Sequence, residues 1–127
     1  MAISSIGNIT GTEFPAGRRT RVIVGPGAPV EAESFVMGHV TIYPGGSVPE
    51  HEHGQEEVYI IVSGSGVLIL GETEHPVKAG DYAYIKPNHV HCLRNTGSED
   101  MVMMFCYAPK SIVDHWQQEL SGTEEKR

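Results

Sequence analysis

The sequence predicts an all-β fold, an antiparallel double-sheet jelly-roll barrel carrying a short C-terminal helix. Three observations lead there. Short apolar runs recur at close spacing, fifteen glycines and eight prolines fall between them, and helical periodicity is absent until the last residues. At 127 residues the chain can bury one core, and its length does not call for a second.

The elements follow in order. Residues 21–24, RVIV, read as a first strand, followed by a loop of Gly, Pro and small polar residues in GPGAPVEAES. FVMGHVTIY at 35–43 is a second strand, stopped by Pro44 and Gly45. Residues 57–62 form a third, and SGSG turns it into VLIL at 67–70. After the turn at 71–73 come HPVK, the turn at 79–81, YAYI, and a further turn at Lys86–Asn88. HVHCLRN and MVMMFCY complete seven or eight strands, joined by the polar TGSED turn.

Ser111 opens the expected helix as its N-cap, with Asp114 three residues on. Ile112, Val113, Trp116 and Leu120 share one face, which would dock on the barrel, and the tail GTEEKR is expected to be disordered. The chain therefore divides into an N-terminal strand and loop segment (1–34), the barrel (35–108) and a C-terminal helix and tail (109–127).

Chemistry concentrates in two places. His51 and His53 are separated by one residue, and Glu57 heads the apolar run VYIIV. In a strand, that spacing sends all three side chains to one face, at the edge of a core. His91 opens a later run, and an antiparallel neighbour would bring it to the other three. Three imidazoles and one carboxylate suit a divalent transition ion (iron, manganese, nickel, cobalt, copper or zinc), whereas calcium and magnesium prefer oxygen.

The same residues resemble the two motifs of the cupin superfamily, and specifically its small single-domain members. Gly45, His51, His53, Glu57 and Gly64 match the first motif at every spacing, and Gly80, His91 and Asn95 match the second. Lys86 and Asn88 stand where that second motif has proline and glycine, but Pro87 is adjacent and Asn tolerates positive φ. The resemblance covers roughly residues 35–108. It implies a metal held by His51, His53, Glu57 and His91, and enzymes of several classes (dioxygenases, decarboxylases, isomerases, epimerases) alongside proteins that only bind sugars or other ligands.

Composition excludes other classes. A net charge of -7 argues against a nucleic-acid surface, and the short basic cluster Arg18, Arg19 and Arg21 reads as a solvated or subunit-facing strand rather than an anion site. No apolar stretch is long enough to span a membrane, and MAISSIGNIT lacks the regions of a secretory signal, so a cytoplasmic location is expected. Cys92 and Cys106 read as packed thiols in strands. The N-terminal strand and exposed β-edges favour a homodimer.

Several other residues have both functional and structural readings. His89 is a candidate catalytic acid that also fits a solvent-exposed turn edge, and Tyr59, in phase with Glu57, could meet a substrate or hydrogen-bond a neighbour. His39 fits a hydrogen-bonded barrel histidine better than a fifth ligand, and His75 and His115 read as surface residues. Met101, Met103 and Phe105 alternate as an apolar wall, Gln55 shares the phase of the site, and Glu50 and Glu52 should face outward.

The leading functional reading is a metal-dependent enzyme acting on a small oxygenated molecule, with dioxygenase or isomerase chemistry foremost. A binding module that holds a small ligand without turning it over is the alternative. A structural ion that pins the barrel is the third, and its mark would be four protein ligands closing a tetrahedron.

Overall fold

The computed structural model describes residues 2–110. Among them are ten strands: β1 (Thr12–Phe14), β2 (Arg18–Val24), β3 (Val36–Ile42), β4 (Ser47–His51), β5 (Glu56–Ser63), β6 (Ser65–Leu70), β7 (Thr73–Lys78), β8 (Tyr82–Ile85), β9 (His91–Arg94) and β10 (Met101–Ala108). A single 3-10 turn at Ile6–Asn8 precedes them. The expected C-terminal helix, with Trp116 and the tail, lies outside the described residues.

Two antiparallel sheets form the jelly roll. One has the order β1-β2-β3-β10-β5-β8, the other β4-β9-β6-β7. Alternating side chains of β3, β5 and β10, among them Val40, Ile42, Tyr59, Ile61, Met101 and Met103, meet Val48, Leu68 and Leu93 of the smaller sheet in one core. The outer residues of β5 remain open, with Val58, Ile60 and Val62 at 40%, 43% and 50% exposure.

Two strands exceed the sequence expectation. β1 is only three residues long, and β4, read as SVPEH, looks like a link because it carries Pro49. Pro49 is tolerated because β4 is the edge of its sheet. Pairing with β9 shifts by one residue between Val48, opposite Leu93, and His51, opposite His91. Without that bulge Val48 and His51 would face opposite sides; with it both are buried against the barrel interior.

On the basic strand, alternation separates neighbours. Arg19 lies 2.9 Å from Glu13 and Arg21 donates to the Ile9 carbonyl at 2.8 Å, both at the outer face. Arg18, by contrast, is only 1% exposed, which corrects the reading of the cluster as one solvated or subunit-facing strand. The cause is pleat phase, since Arg18 shares the inner face with the buried Thr20.

His39 occupies the outer face of β3, opposite Arg21 on β2 and Met104 on β10, away from the four-residue cluster. Its buried Nδ1 has no hydrogen-bond partner, and burial, followed by the Arg21 charge, holds its pKa below the ordinary 6.5. The unfolded chain therefore takes up this proton more readily than the folded one. The stability His39 contributes is present above pH 6.5 and is lost as pH falls through the lower folded value. Replacing His39 by Gln is expected to flatten the acid-side decline of unfolding free energy, and identical slopes in urea titrations at pH steps would refute this.

Candidate metal centre

Three elements and one link position the cluster. His51 ends β4, His53 lies in the link 52–55, Glu57 is the second residue of β5, and His91 begins β9. The three early residues do not share one strand, as their spacing suggested. β4 and β5 belong to different sheets, so the chain crosses the barrel between His51 and Glu57 and its side chains converge from both walls. His91 arrives as expected on an antiparallel neighbour, directly opposite His51.

The donor atoms of His51, His53, Glu57 and His91 all lie within 4.8 Å of one another. Backbone carbonyls orient each ring. His51 Nδ1 donates to Pro49 O at 2.7 Å, His53 Nδ1 to Gln55 O at 3.1 Å, and His91 Nδ1 to His89 O at 2.7 Å. A carbonyl only accepts, so in the neutral ring the proton sits on Nδ1 and the Nε2 lone pair is aimed inward.

Those lone pairs meet a carboxylate. Glu57 Oε1 is 3.0 Å from His53 Nε2 and 3.3 Å from His91 Nε2, and the latter nitrogen is buried without a hydrogen bond of acceptable geometry. Burial pushes the Glu57 carboxyl up, but where His53 and His91 carry a proton toward it their attraction outweighs burial and holds the group below its ordinary value. Such an arrangement of acceptors is repulsive unless protons or a cation stand between them. One divalent ion satisfies all four at once, and the donor set fits it.

The turn before β9 supports the link. Asn88 adopts φ 61°, the conformation glycine would supply, and its N–H donates to His53 O at 2.7 Å. The altered KPN turn thus holds the ligand loop by backbone alone.

Of the remaining candidates, Tyr59 lies beside the cluster. Its buried ring is edge-on to His91 with centroids 5.7 Å apart. Burial first, then the Glu57 charge, raises the phenol well above its ordinary pKa despite Arg18, so it is an O–H donor at neutral pH. His89 is half-buried outside the cluster, its ring beside the β6–β7 turn, where Nε2 is 3.4 Å from the place a Cβ on Gly71 would take. Gln55 is buried, and its carbonyl orients His53. Cys92 and Cys106 are free thiols, both pushed up by burial.

A cavity of about 20 Å3 adjoins the cluster, lined by Arg18, Thr20, His51, Glu57, Tyr59 and Phe105 among others. Alternation along β2 could have revealed Arg18 and Thr20, but the basic cluster RRTR masks it. Gly38 sets the position of the Phe105 wall. The two are paired across β3 and β10, and a Cβ at Gly38 would lie 2.3 Å from the ring. Gly38→Ala is expected to cost about 2 kcal/mol by overpacking. Adding Phe105→Leu should restore at least half of that in denaturant titrations, and strictly additive losses would refute the coupling.

The fold and the three-His, one-Glu cluster define a jelly-roll barrel protein with a candidate metal centre inside it. The chain belongs to the cupin family: the family model described as a cupin domain matches residues 38–107. It is 37% identical over 73 residues to auxin-binding protein 1 of Arabidopsis thaliana, covering 50% of this chain and 37% of that protein. To the oxalate-binding protein of Thermotoga maritima it is 39% identical over 67 residues, 52% of this chain and 55% of the relative. It spans about half or less of these curated relatives. A solved structure of a predicted oxalate decarboxylase from Thermotoga maritima superposes with a TM-score of 0.73 at 21% identity, covering 84% of this chain and 98% of the other, a likeness of fold.

Proposed function

We propose that the protein is a metal-dependent cupin that holds one divalent transition ion through His51, His53, Glu57 and His91 and acts there on a small oxygenated molecule. The observation that carries this reading is the convergence of three carbonyl-oriented imidazoles on one buried carboxylate. When bound, an ion of this class supplies Lewis-acid polarisation of a ligand carbonyl or enolate, or one-electron redox chemistry. Around it, Tyr59 donates a hydrogen bond to the ligand, and the apolar wall of Met103 and Phe105 limits water. Dioxygenase or isomerase chemistry is the leading form of the activity.

A second reading, a module that binds its ligand without turnover, is supported by the names of the two curated relatives, both binding proteins. One experiment separates them: metal analysis after purification without chelator, followed by oxygen uptake and product analysis over a panel of small acids and enols. Substrate-dependent oxygen uptake is the dioxygenase result, and turnover without oxygen the isomerase or decarboxylase result. Tight binding without product leaves the module, and absence of any bound or acquired ion removes both readings.

A homodimer and a cytoplasmic location complete the proposal. The exposed row Val58, Ile60 and Val62 supports pairing, and two free thiols suit a reducing compartment. A monomeric mass in light scattering would overturn the first, and fractionation with an extracytoplasmic marker the second. Among the described residues no helix is long and apolar enough to cross a membrane.

A further inference from the structure

A second apolar surface lies outside both the core and the metal centre. Ile3, Ile6 and Ile9 of the N-terminal segment and Ile23, Val24 and Val30 line a groove of about 310 Å3 that no charged residue borders. Ile3 and Ile6 are 85% and 36% exposed there. The pairing of β2 with β3 shifts between Val22, opposite Gly38, and Val24, opposite Met37, which moves Val24 from the Gly38 face to the Met37 face. A bridge to Val24 and the bond from Gly25 N to Val30 O at 2.9 Å hold Val30 beside it. Branched aliphatic side chains gathered on an open, uncharged groove call for a cover.

The described chain ends next to this groove. Lys110 N donates to Ser34 O at 2.9 Å, and its Nζ donates to Ala32 O at 3.0 Å and to Glu31 at 3.1 Å. Val30 is four residues from Ser34, hence no more than about 14 Å away. Beyond Lys110, Val113, Trp116 and Leu120 stand at i, i+3 and i+7, the anchor spacing that an apolar groove accepts from a helix. Trp116 is six residues past Lys110, a reach of about 9 Å as helix and about 20 Å when extended. An apolar cavity of about 150 Å3 holds a benzene ring, so the groove has room for an indole and an aliphatic neighbour. The exposed row on β5 is less accessible to this segment, because β3 and β10 separate it from β2 and Lys110 is tied to the segment that leads into β3.

We propose that this groove is the docking site of the chain's own residues 112–120, with Trp116 as the anchor. The C-terminal segment thereby clasps the N-terminal arm against β2. This interface stands apart from the metal centre and from the β5 row, and neither of those readings is needed for it.

The test uses Trp116 as reporter, since it is the single tryptophan of the chain. Emission wavelength, acrylamide quenching and circular dichroism are measured on the full chain as wild type, as the double variant Ile3→Glu, Ile6→Glu, and as Ile60→Glu on the β5 row. Wild-type emission is expected to lie to the blue of the urea-unfolded protein, with weaker quenching. The double variant should shift most of the way to the unfolded value, whereas Ile60→Glu and dilution of the wild type leave the emission in place. In Trp116→Ala the uncovered groove should bind more of the apolar dye ANS than wild type does. Solvent-like emission in wild type, an unshifted double variant or a shift in Ile60→Glu overturns the proposal. A concentration-dependent emission assigns the groove to a second copy's segment and overturns it too. If the double variant does not fold, Trp116→Ala decides, and dye binding equal to that of wild type overturns the proposal.

Discussion

Replacing His53 by Ala is expected to weaken divalent-metal affinity by more than ~100-fold, beyond the 10–100-fold that loss of a supporting partner alone produces. His53 is the one residue of the four held in the link rather than in a strand, between the Gln55 carbonyl and the Asn88 N–H. Its removal takes away the nitrogen 3.0 Å from Glu57 and leaves the remaining donors on two sheets without their bridge. His89→Ala should keep its metal, since that ring lies outside the cluster. Metal analysis of both variants checks the assignment, and full occupancy in His53→Ala would sink it.

Asn95→Ala is expected to lower stability by about 3 kcal/mol, taking each of three buried or half-buried hydrogen bonds at about 1 kcal/mol. Its side-chain amide donates to Ile42 O at 2.9 Å and Glu99 O at 2.7 Å, and its oxygen accepts from Gly97 N at 2.9 Å. The backbone adds Asn95 N to Gly46 O at 3.0 Å and Gly45 N to Asn95 O at 3.2 Å. Alanine keeps the backbone bonds and leaves the three side-chain partners without theirs. For a chain of this size the loss corresponds to roughly 10 °C in Tm. A shift below about 2 °C in a thermal scan would show that water replaces the amide and that the knot is not structural.

That knot explains how much of the site could be read from the chain. Gly45 and Asn95 sit at opposite ends of the two motifs, and they are hydrogen-bonded to each other. Spacing therefore carried real geometric content, and it brought out His51, His53, Glu57 and His91 as one group. The positive φ of Asn88 was likewise legible from the residue type. The route by which the ligands converge was not. A period of two assumes one unbroken strand, but a bulge beside Pro49 and a crossing between sheets lie within the run. Arg18 was hidden for a similar reason, because charge composition in RRTR outweighed the pleat phase that buries it. Backbone carbonyls that orient the imidazoles leave no side-chain signature at all.

One feature of the larger sheet bears on how the molecule is made. β10 lies between β3 and β5, pairing Met101–Tyr107 with Val36–Ile42 on one side and Val102–Ala108 with Ser63–Glu56 on the other. A chain leaving the ribosome exposes the facing edges of β3 and β5 until residue 108 emerges, and these edges are apolar on the side that becomes the core. All four ligand residues precede β10 in the chain, yet Glu57 is held opposite Tyr107. The candidate metal centre is consequently completed late in synthesis, and nascent chains stalled before Met101 are the species most open to edge pairing.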